Sequence, residues 1–367
     1  MVGRTDATEM IEEVKDLCLQ MAPVETILTK IVQLDGWPSI SCQDLIISHC
    51  FGYSGSNQLC RAFPPSKLWL KHFAKKIEFC LQSYEENDSD DLFSDLLIKF
   101  IIEAKTCLVD NDDSAFISYR DIFDSKVYST LKVLRSHNQV GTRVWEAGLF
   151  LAELLVLLKG KFRGKTIVEL GAGVGVTGVI YMKSILSSIE RPNRFILTDF
   201  DQVVVDNLTY NISLNFSSII GDSKSPLICS KMLDWSTVTE KDILEINADI
   251  VLAADCTYAE DTNTHLVNCL RMFILAKQFD TCAKSVSATS SGKLVEDVIF
   301  VGAPLALVAC TVRNPVTYND FLSKLEQCPD IRWSDETEWA LEVVPQPIYY
   351  YENRSQIRLI AISAAKM

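Results

Sequence analysis

The sequence predicts an α/β fold, a doubly wound parallel sheet preceded by a mostly helical N-terminal domain. Three observations carry this reading. From Thr166 onward, strand-like apolar runs alternate with helical segments, the rhythm of βαβ units. One of these strands feeds a glycine-rich turn, Gly171 to Gly178, followed by an apolar run that opens a helix. Before about residue 110 the apolar residues recur instead at helical spacing.

In the N-terminal part, Met10, Ile11, Val14, Leu17, Cys18 and Met21 keep that spacing and stop before Pro23, which ends a helix. After Phe63-Pro64-Pro65, Ser66 is positioned to cap a second helix with the stripe Leu70, Phe73, Ile77 and Leu81. Lys67, Lys71 and Lys75 form a row on another side of it, either a solvated face or a contact for a negatively charged partner. The run EENDSDD, residues 85–91, reads as an acidic linker, and Leu92, Phe93, Leu96, Leu97, Phe100 and Ile101 as the next helix. Between Asn111 and Gln139 the pattern is irregular, with β-like pieces such as Val127–Val133. The boundary is set within it: 1–125 is a helical domain suited to recognising a substrate, and 126–367 is the α/β domain.

The α/β domain opens with Gly141-Thr142-Arg143-Val144-Trp145-Glu146-Ala147-Gly148 and an apolar helix over Leu149–Leu158. Strands are predicted at Thr166–Leu170, Arg194–Thr198, Leu227–Leu233, Asp249–Ala253 and Leu305–Val312. Ala283 to Gly292, rich in Ser, Thr and Ala, reads as a loop; a helix over Pro315–Gln327 and a strand over Arg358–Ser363 complete the domain.

At 367 residues the chain is long for one domain, which supports this two-part reading. A net charge of −13 argues against nucleic acid as the main partner. The N-terminal stretch MVGRTDATEMIEE lacks the layout of a signal peptide, and no apolar run approaches the roughly 20 residues of a membrane span. The expected compartment is the cytosol, with the nucleus open. The twelve cysteines include no CxxC pair and lie mostly in apolar runs, as reduced core thiols do; with four scattered histidines, no metal site is assigned.

The chemistry centres on Thr166 to Met182. Glycines let the backbone approach a ligand, and the free N–H groups of the following helix face it. As Gly173-x-Gly175-x-x-Gly178, with Asp199 about 20 residues on, the turn fits a dinucleotide site. As Glu169-x-Gly171-x-Gly173-x-Gly175, it fits an S-adenosylmethionine (SAM) loop. An acid before the first glycine suits the cationic amino-acid end of SAM and gains nothing beside a pyrophosphate, so charge favours SAM. Asp199 ends its strand where a carboxylate accepts hydrogen bonds from ribose hydroxyls, and either ligand would use it. Asp201 is a second candidate, though better suited to cap the next helix. Asp234-Trp235 offers an acceptor and an aromatic wall for adenine. Ala254-Asp255-Cys256-Thr257-Tyr258 ends a buried strand, where small residues admit a cofactor and Asp255 and Tyr258 reach the crevice. Cys256 has no histidine nearby in sequence and reads as a packed thiol.

Val144-Trp145-Glu146-Ala147, Glu169-Leu170-Gly171-Ala172-Gly173, Leu233-Asp234-Trp235 and Ala254-Asp255-Cys256-Thr257-Tyr258 occur in the order of the class I, seven-stranded protein-lysine methyltransferases, which this chain resembles. Phe63-Pro64-Pro65-Ser66 and Cys310-Thr311-Val312-Arg313-Asn314-Pro315 are similar to stretches of the elongation factor 2 lysine methyltransferase group. The resemblance covers nearly the whole chain, strongly from about Gly141 to Ile362. It implies a Rossmann-like seven-stranded domain, SAM as cofactor and a protein substrate in translation. It also implies a SAM pocket lined by Trp145, Glu169, Gly171, Ala172, Gly173, Asp199, Trp235 and Ala254. One departure is the long segment before Asp199, where Ser187 to Asn193 looks inserted. Under this reading Trp145 and Tyr258 wall a lysine channel and Asp255 positions the amine or the cofactor. The alternatives are an NAD-dependent oxidoreductase and a non-catalytic SAM-binding adaptor.

Overall fold

The computed structural model describes residues 7–53, 58–84, 92–108, 114–134, 140–217, 227–277 and 305–365. The acidic linker and the Ser/Thr/Ala-rich loop lie outside the described residues. The chain divides into two compact units, one of Met1–Arg120 with Thr130–Asn138, the other of Asp121–Ser129 with Gln139–Met367. The division passes through a β-hairpin, most of which belongs with the helices.

The first unit contains α1 (Ala7–Leu19), α2 (Val24–Ile31), α3 (Ile40–Phe51), α4 (Gln58–Ala62), α5 (Lys67–Gln82) and α6 (Asp95–Thr106), followed by strands β1 (Ser114–Arg120) and β2 (Tyr128–Leu134). Serines start three of the helices: Ser39 Oγ accepts the Cys42 N–H at 3.4 Å, Ser66 Oγ the Trp69 N–H at 3.4 Å and Ser94 Oγ the Leu97 N–H at 3.0 Å. Phe51 of α3 packs between Phe73 of α5 and Phe100 of α6, with ring centroids 5.0 and 4.7 Å away. Truncating such a ring costs about 3–5 kcal/mol. Gln43, buried in α3, donates to the carbonyls of Pro38 and Leu92 and accepts from the Ser94 N–H, so one amide ties the segment before α3 to the start of α6.

The second unit holds the seven-stranded sheet, in the order β5-β4-β3-β6-β7-β9-β8. Its strands are β3 (Thr166–Leu170), β4 (Arg194–Asp199), β5 (Ile228–Met232), β6 (Ile250–Ala254), β7 (Leu305–Thr311), β8 (Ile331–Asp335) and β9 (Ile357–Ala364). The five from β3 to β7 are parallel, and β9 runs antiparallel to both β7 and β8. Its helices are α7 (Glu146–Leu157), α8 (Val176–Ser184), α9 (Gln202–Phe216), α10 (Glu240–Ile246), α11 (Glu260–Ala276), α12 (Pro315–Glu326) and α13 (Thr337–Val343). The edge strand β8 and the short α13 were not foreseen.

Strand periodicity assigns each residue to a face. Val168, Leu170, Ile196, Val251 and Ala253 share one core with residues of α10, α11 and α12. The alternate residues face the other way, where Phe195 and Leu197 meet Gly178 of α8. Glu169 falls on that second face, so the strand carries its acid beneath α8. The chain order reverses between β3 and β6, and a crevice at the carboxyl ends of the strands follows from that reversal.

The long segment before β4 is tied to the turn before β3 at the opposite end. Asn193 Nδ2 donates to the Gly164 carbonyl at 2.6 Å, and the Gly164 N–H to the Arg191 carbonyl at 3.2 Å. The segment therefore sits where β3 and β4 begin, at the end of the strands away from Asp199.

Candidate active site

The carboxyl ends of β3, β4 and β6 bring most of the predicted residues together. At β3, Gly171 (φ +63°) and Gly173 (φ +55°) hold left-handed backbone. A Cβ on Gly173 would stand 2.9 Å from the Gly141 carbonyl oxygen; one on Gly171 would stand 2.8 Å from Cys256 Sγ and 3.1 Å from the Trp235 ring. Both positions are closed to any side chain, and they locate Gly141, Trp235 and Cys256 around the turn. Ala172 donates its N–H to the Thr198 carbonyl at 2.8 Å, tying the turn to β4.

Asp199 ends β4. Its Oδ2 accepts the Gly173 N–H at 3.2 Å, and its Oδ1 the Phe200 N–H at 2.8 Å and the Asp201 N–H at 3.3 Å. Burial raises its carboxyl above the ordinary range, and these N–H donors oppose the rise. Asp201 is occupied otherwise: Oδ1 caps α9 through the N–H groups of Val203 and Val204.

Glu169 is 2 % exposed, with Thr177 and the Gly178 N–H as its polar neighbours at the start of α8. Burial pushes its carboxyl up to about 8, and Oε2 has no hydrogen-bond partner. A buried, half-satisfied acid beneath a glycine turn is destabilising unless a cation compensates it.

Trp145 is half-buried, its Nε1 donating to the Val140 carbonyl at 3.0 Å. Asp234 is exposed and bonds Ser236, while the neighbouring Trp235 ring leans over Gly171. Ala254 ends β6 and pairs with Ala309 of β7. The Cys256 thiol is buried and donates to the carbonyls of Leu170 and Ala254. Burial holds it well above its usual pKa, with Asp199, Cys310, Asp255 and Glu169 adding to the rise. Cys256 is a packed thiol.

Asp255 departs from its expected role. At φ +53° its side chain turns back into the protein. Oδ2 accepts the Ala147 N–H at 3.1 Å and the Thr311 hydroxyl at 3.0 Å, and Oδ1 accepts the Thr311 N–H at 2.7 Å. It joins the start of α7 to the end of β7 instead of offering a free carboxylate to an amine. Tyr258, by contrast, is 56 % exposed.

These groups suit SAM. Gly171 and Gly173 hold the left-handed backbone of a turn whose main chain can approach a ligand, Asp199 supplies an acceptor at the end of β4, and Trp235 supplies an aromatic face. The unsatisfied Glu169 carboxylate complements a cationic amino group and not a pyrophosphate.

Residues 128–291 match the family described as lysine methyltransferase. The chain is also 27% identical over 323 residues to the protein-lysine N-methyltransferase EEF2KMT of Bos taurus, covering 83% of each. The Homo sapiens protein of that name is 25% identical over 310 residues, covering 83% of this chain and 82% of that one. A third relative, EEF1A lysine methyltransferase 3 of Xenopus tropicalis, is 33% identical over 132 residues, 36% of this chain and 52% of that protein. These likenesses indicate a SAM-dependent protein-lysine N-methyltransferase. SAM is its cofactor, and the dinucleotide reading of the glycine turn is set aside.

The methyltransferase also uses residues that sequence reasoning passed over. Asn211, buried in α9, donates to the Val174 carbonyl at 3.0 Å and so fixes the glycine turn from behind. The spacing Asn207, Asn211, Asn215 is the signal that was present, a polar stripe on the buried side of a helix. Glu153 of α7 is fully buried and accepts from the N–H groups of Ile348 and Tyr349, the Tyr351 hydroxyl and Arg354. It anchors the segment that leads into β9. Arg313, just past β7, bonds Glu146.

Proposed function

We propose that this methyltransferase acts in the cytosol on a lysine of translation elongation factor 2. The observation that carries the proposal is coverage: a likeness spanning 83% of the chain runs beyond the catalytic unit into the helical one. A catalytic domain shared by many lysine methyltransferases would not by itself require that.

Bound SAM supplies a methyl group on a cationic sulfur. The chain's own task is to align the acceptor, exclude water and receive a neutral amine. Trp145, Gly171, Ala172, Gly173, Asp199, Trp235 and Ala254 would hold the cofactor, with Glu169 as the counter-charge. A lysine arrives as ammonium, and neutralising it at pH 7 costs about 4–5 kcal/mol. An aromatic, poorly hydrated channel lowers that cost. Trp145 and Tyr258 would form its walls, and Asp255 would act as a positioning residue by holding Ala147, and hence Trp145, in register with β7.

Recognition of the folded substrate falls to the helical unit. There a groove of about 610 Å3 is lined by aromatic and proline side chains, with Arg61, Lys67 and Lys99 among its charged residues. Lys71 and Lys75 continue the basic row along α5. In a chain of net charge −13, this groove is suited to an acidic segment of the substrate.

The deciding experiment is mass spectrometry of elongation factor 2 after incubation with the enzyme and SAM. A methylated lysine peptide is expected. SAM binding without any methyl transfer, to this factor or to other translation factors, would favour the adaptor reading.

A further inference from the structure

The cluster around Arg313 borders the candidate cofactor residues and shares Trp145 with them. With Trp235 near the glycine turn, Asp199 ending β4 and Glu169 on β3, most of the cofactor's candidate residues reach from the turn to β4, and Ala254 closes the set at the tip of β6. The residues just beyond β6 and β7 remain for the acceptor. Arg313 is the second residue beyond β7 and is 41 % exposed at its side chain. Its guanidinium is paired with Glu146, stands 3.5 Å from Asp255 Oδ1, and lies 5.0 Å from the centre of the Trp145 ring. Glu146 also accepts from Asn353 Nδ2 at 3.1 Å, so the cluster joins α7, β6, β7 and the turn before β9.

We propose that Arg313 is a positioning residue that occupies Glu146, Asp255 and the face of Trp145, so that an incoming lysine is not trapped there as its ammonium. This rests on the site being the one that receives the lysine. The Glu146 carboxylate beside an electron-rich ring would make a strong ammonium-binding site, to which the inward-turned Asp255 adds negative charge at close range. That would be harmful here, because only the neutral amine attacks the methyl carbon: its nitrogen forms the new C–N bond as the C–S bond breaks, and the electron pair leaves on sulfur. A cation already seated among these groups cancels most of their pull. The other titratable groups nearby are Tyr258, whose hydroxyl burial pushes up, and the more deeply buried Asp199, Cys256, Cys310 and Glu169. None of these is a cation, and Arg354 beside Asn353 is committed to Glu153, so among the described residues Arg313 is the cation paired with Glu146 and Asp255.

The test compares wild type, R313Q, R313K and E146Q/R313Q in steady-state methylation of elongation factor 2 between pH 6.5 and 9.5. SAM affinity is measured in parallel by calorimetry. An opposite charge at this range moves a pKa by about one unit or more. R313Q should therefore keep its SAM affinity and an unchanged or lower KM for the protein. Its kcat should fall about tenfold at pH 7 and recover as pH rises, so that the acidic limb moves up by about one unit. R313K should keep the wild-type limb, and E146Q/R313Q should bring it back. A kcat that falls equally at every pH in R313Q, or a double variant no better than R313Q, overturns the proposal. Should R313Q fail to fold, R313K and E146Q decide it: E146Q must not move the limb upward. If wild type leaves elongation factor 2 unmodified, the substrate assignment falls alone. The same series is then read on the protein that the wild type labels with tritiated SAM in a cell extract.

Discussion

Replacing Glu169 with Gln should stabilise the cofactor-free methyltransferase at neutral pH while weakening its hold on SAM. The side chain is 2 % exposed and its carboxyl is pushed from an ordinary 4.5 up to about 8 by burial. Because the folded value is the higher one, the folded state binds the proton more tightly. The resulting stability is fully present below pH 4.5 and is lost as pH rises towards 8. At about 1.4 kcal/mol per pH unit, the loss reaches about 3 kcal/mol at pH 7. Gln keeps the shape and cannot ionise, so E169Q escapes the loss. For a unit of this size that is a Tm about 6–10 °C above wild type at pH 7, shrinking to about 2 °C at pH 5. In calorimetric titration, E169Q should bind SAM at least about tenfold more weakly, having lost a charge-assisted contact of about 1.5–3 kcal/mol. Wild type should release a proton on binding near pH 7, and E169Q should not. A stability gap that stays constant from pH 5 to 8, together with unchanged SAM affinity, would refute the reasoning. Glu169 would then be only an acceptor for Thr177 and Gly178.

Gly173→Ala should abolish measurable SAM binding in calorimetry, since φ +55° and a main-chain oxygen at 2.9 Å leave the new methyl no room. A variant that still binds SAM within a few-fold would show the turn free to rearrange. Glu153→Gln leaves Arg354 without its buried counter-ion and should cost about 3 kcal/mol, read as a lower Tm in scanning calorimetry. The double variant K67E/K99E, with charges reversed at the groove of the helical unit, should raise KM for elongation factor 2 about tenfold or more with SAM affinity unchanged. An unaltered KM would remove that groove from substrate recognition.

Sequence alone delivered the elements whose signals are local. Thr166–Leu170 is a strand in a run of apolar residues, and it is observed over that same span. Ser66 caps α5 because a serine oxygen three residues from a free N–H is a short-range affair. The elements that escaped lack such a signal. In α3 the buried stripe contains Gln43, while Ile40 and Leu45 are exposed, so polarity and burial disagree along the helix. Strand β8, IRWSD, is an edge with one hydrogen-bonded neighbour and mostly polar faces, and nothing in its composition demands a sheet.

The site divides in the same way. Gly171 and Gly173 are legible because left-handed backbone in a crowded turn favours glycine. Glu153 and Arg354 are 201 positions apart, and neither is informative until the fold joins them. Asp255 is the instructive intermediate. Its address at the end of β6 was readable, and so was its nearness to the acceptor's path. Its direction was not, because that depends on φ +53° at a single residue and on donors 108 positions before it and 56 after. A carboxylate turned inward by its own backbone cannot receive an amine. It can fix the distance between α7 and β7, and with it the Trp145 face against which Arg313 is seated. A residue expected to position the amine or the cofactor is, by its bonds, a link between α7 and β7.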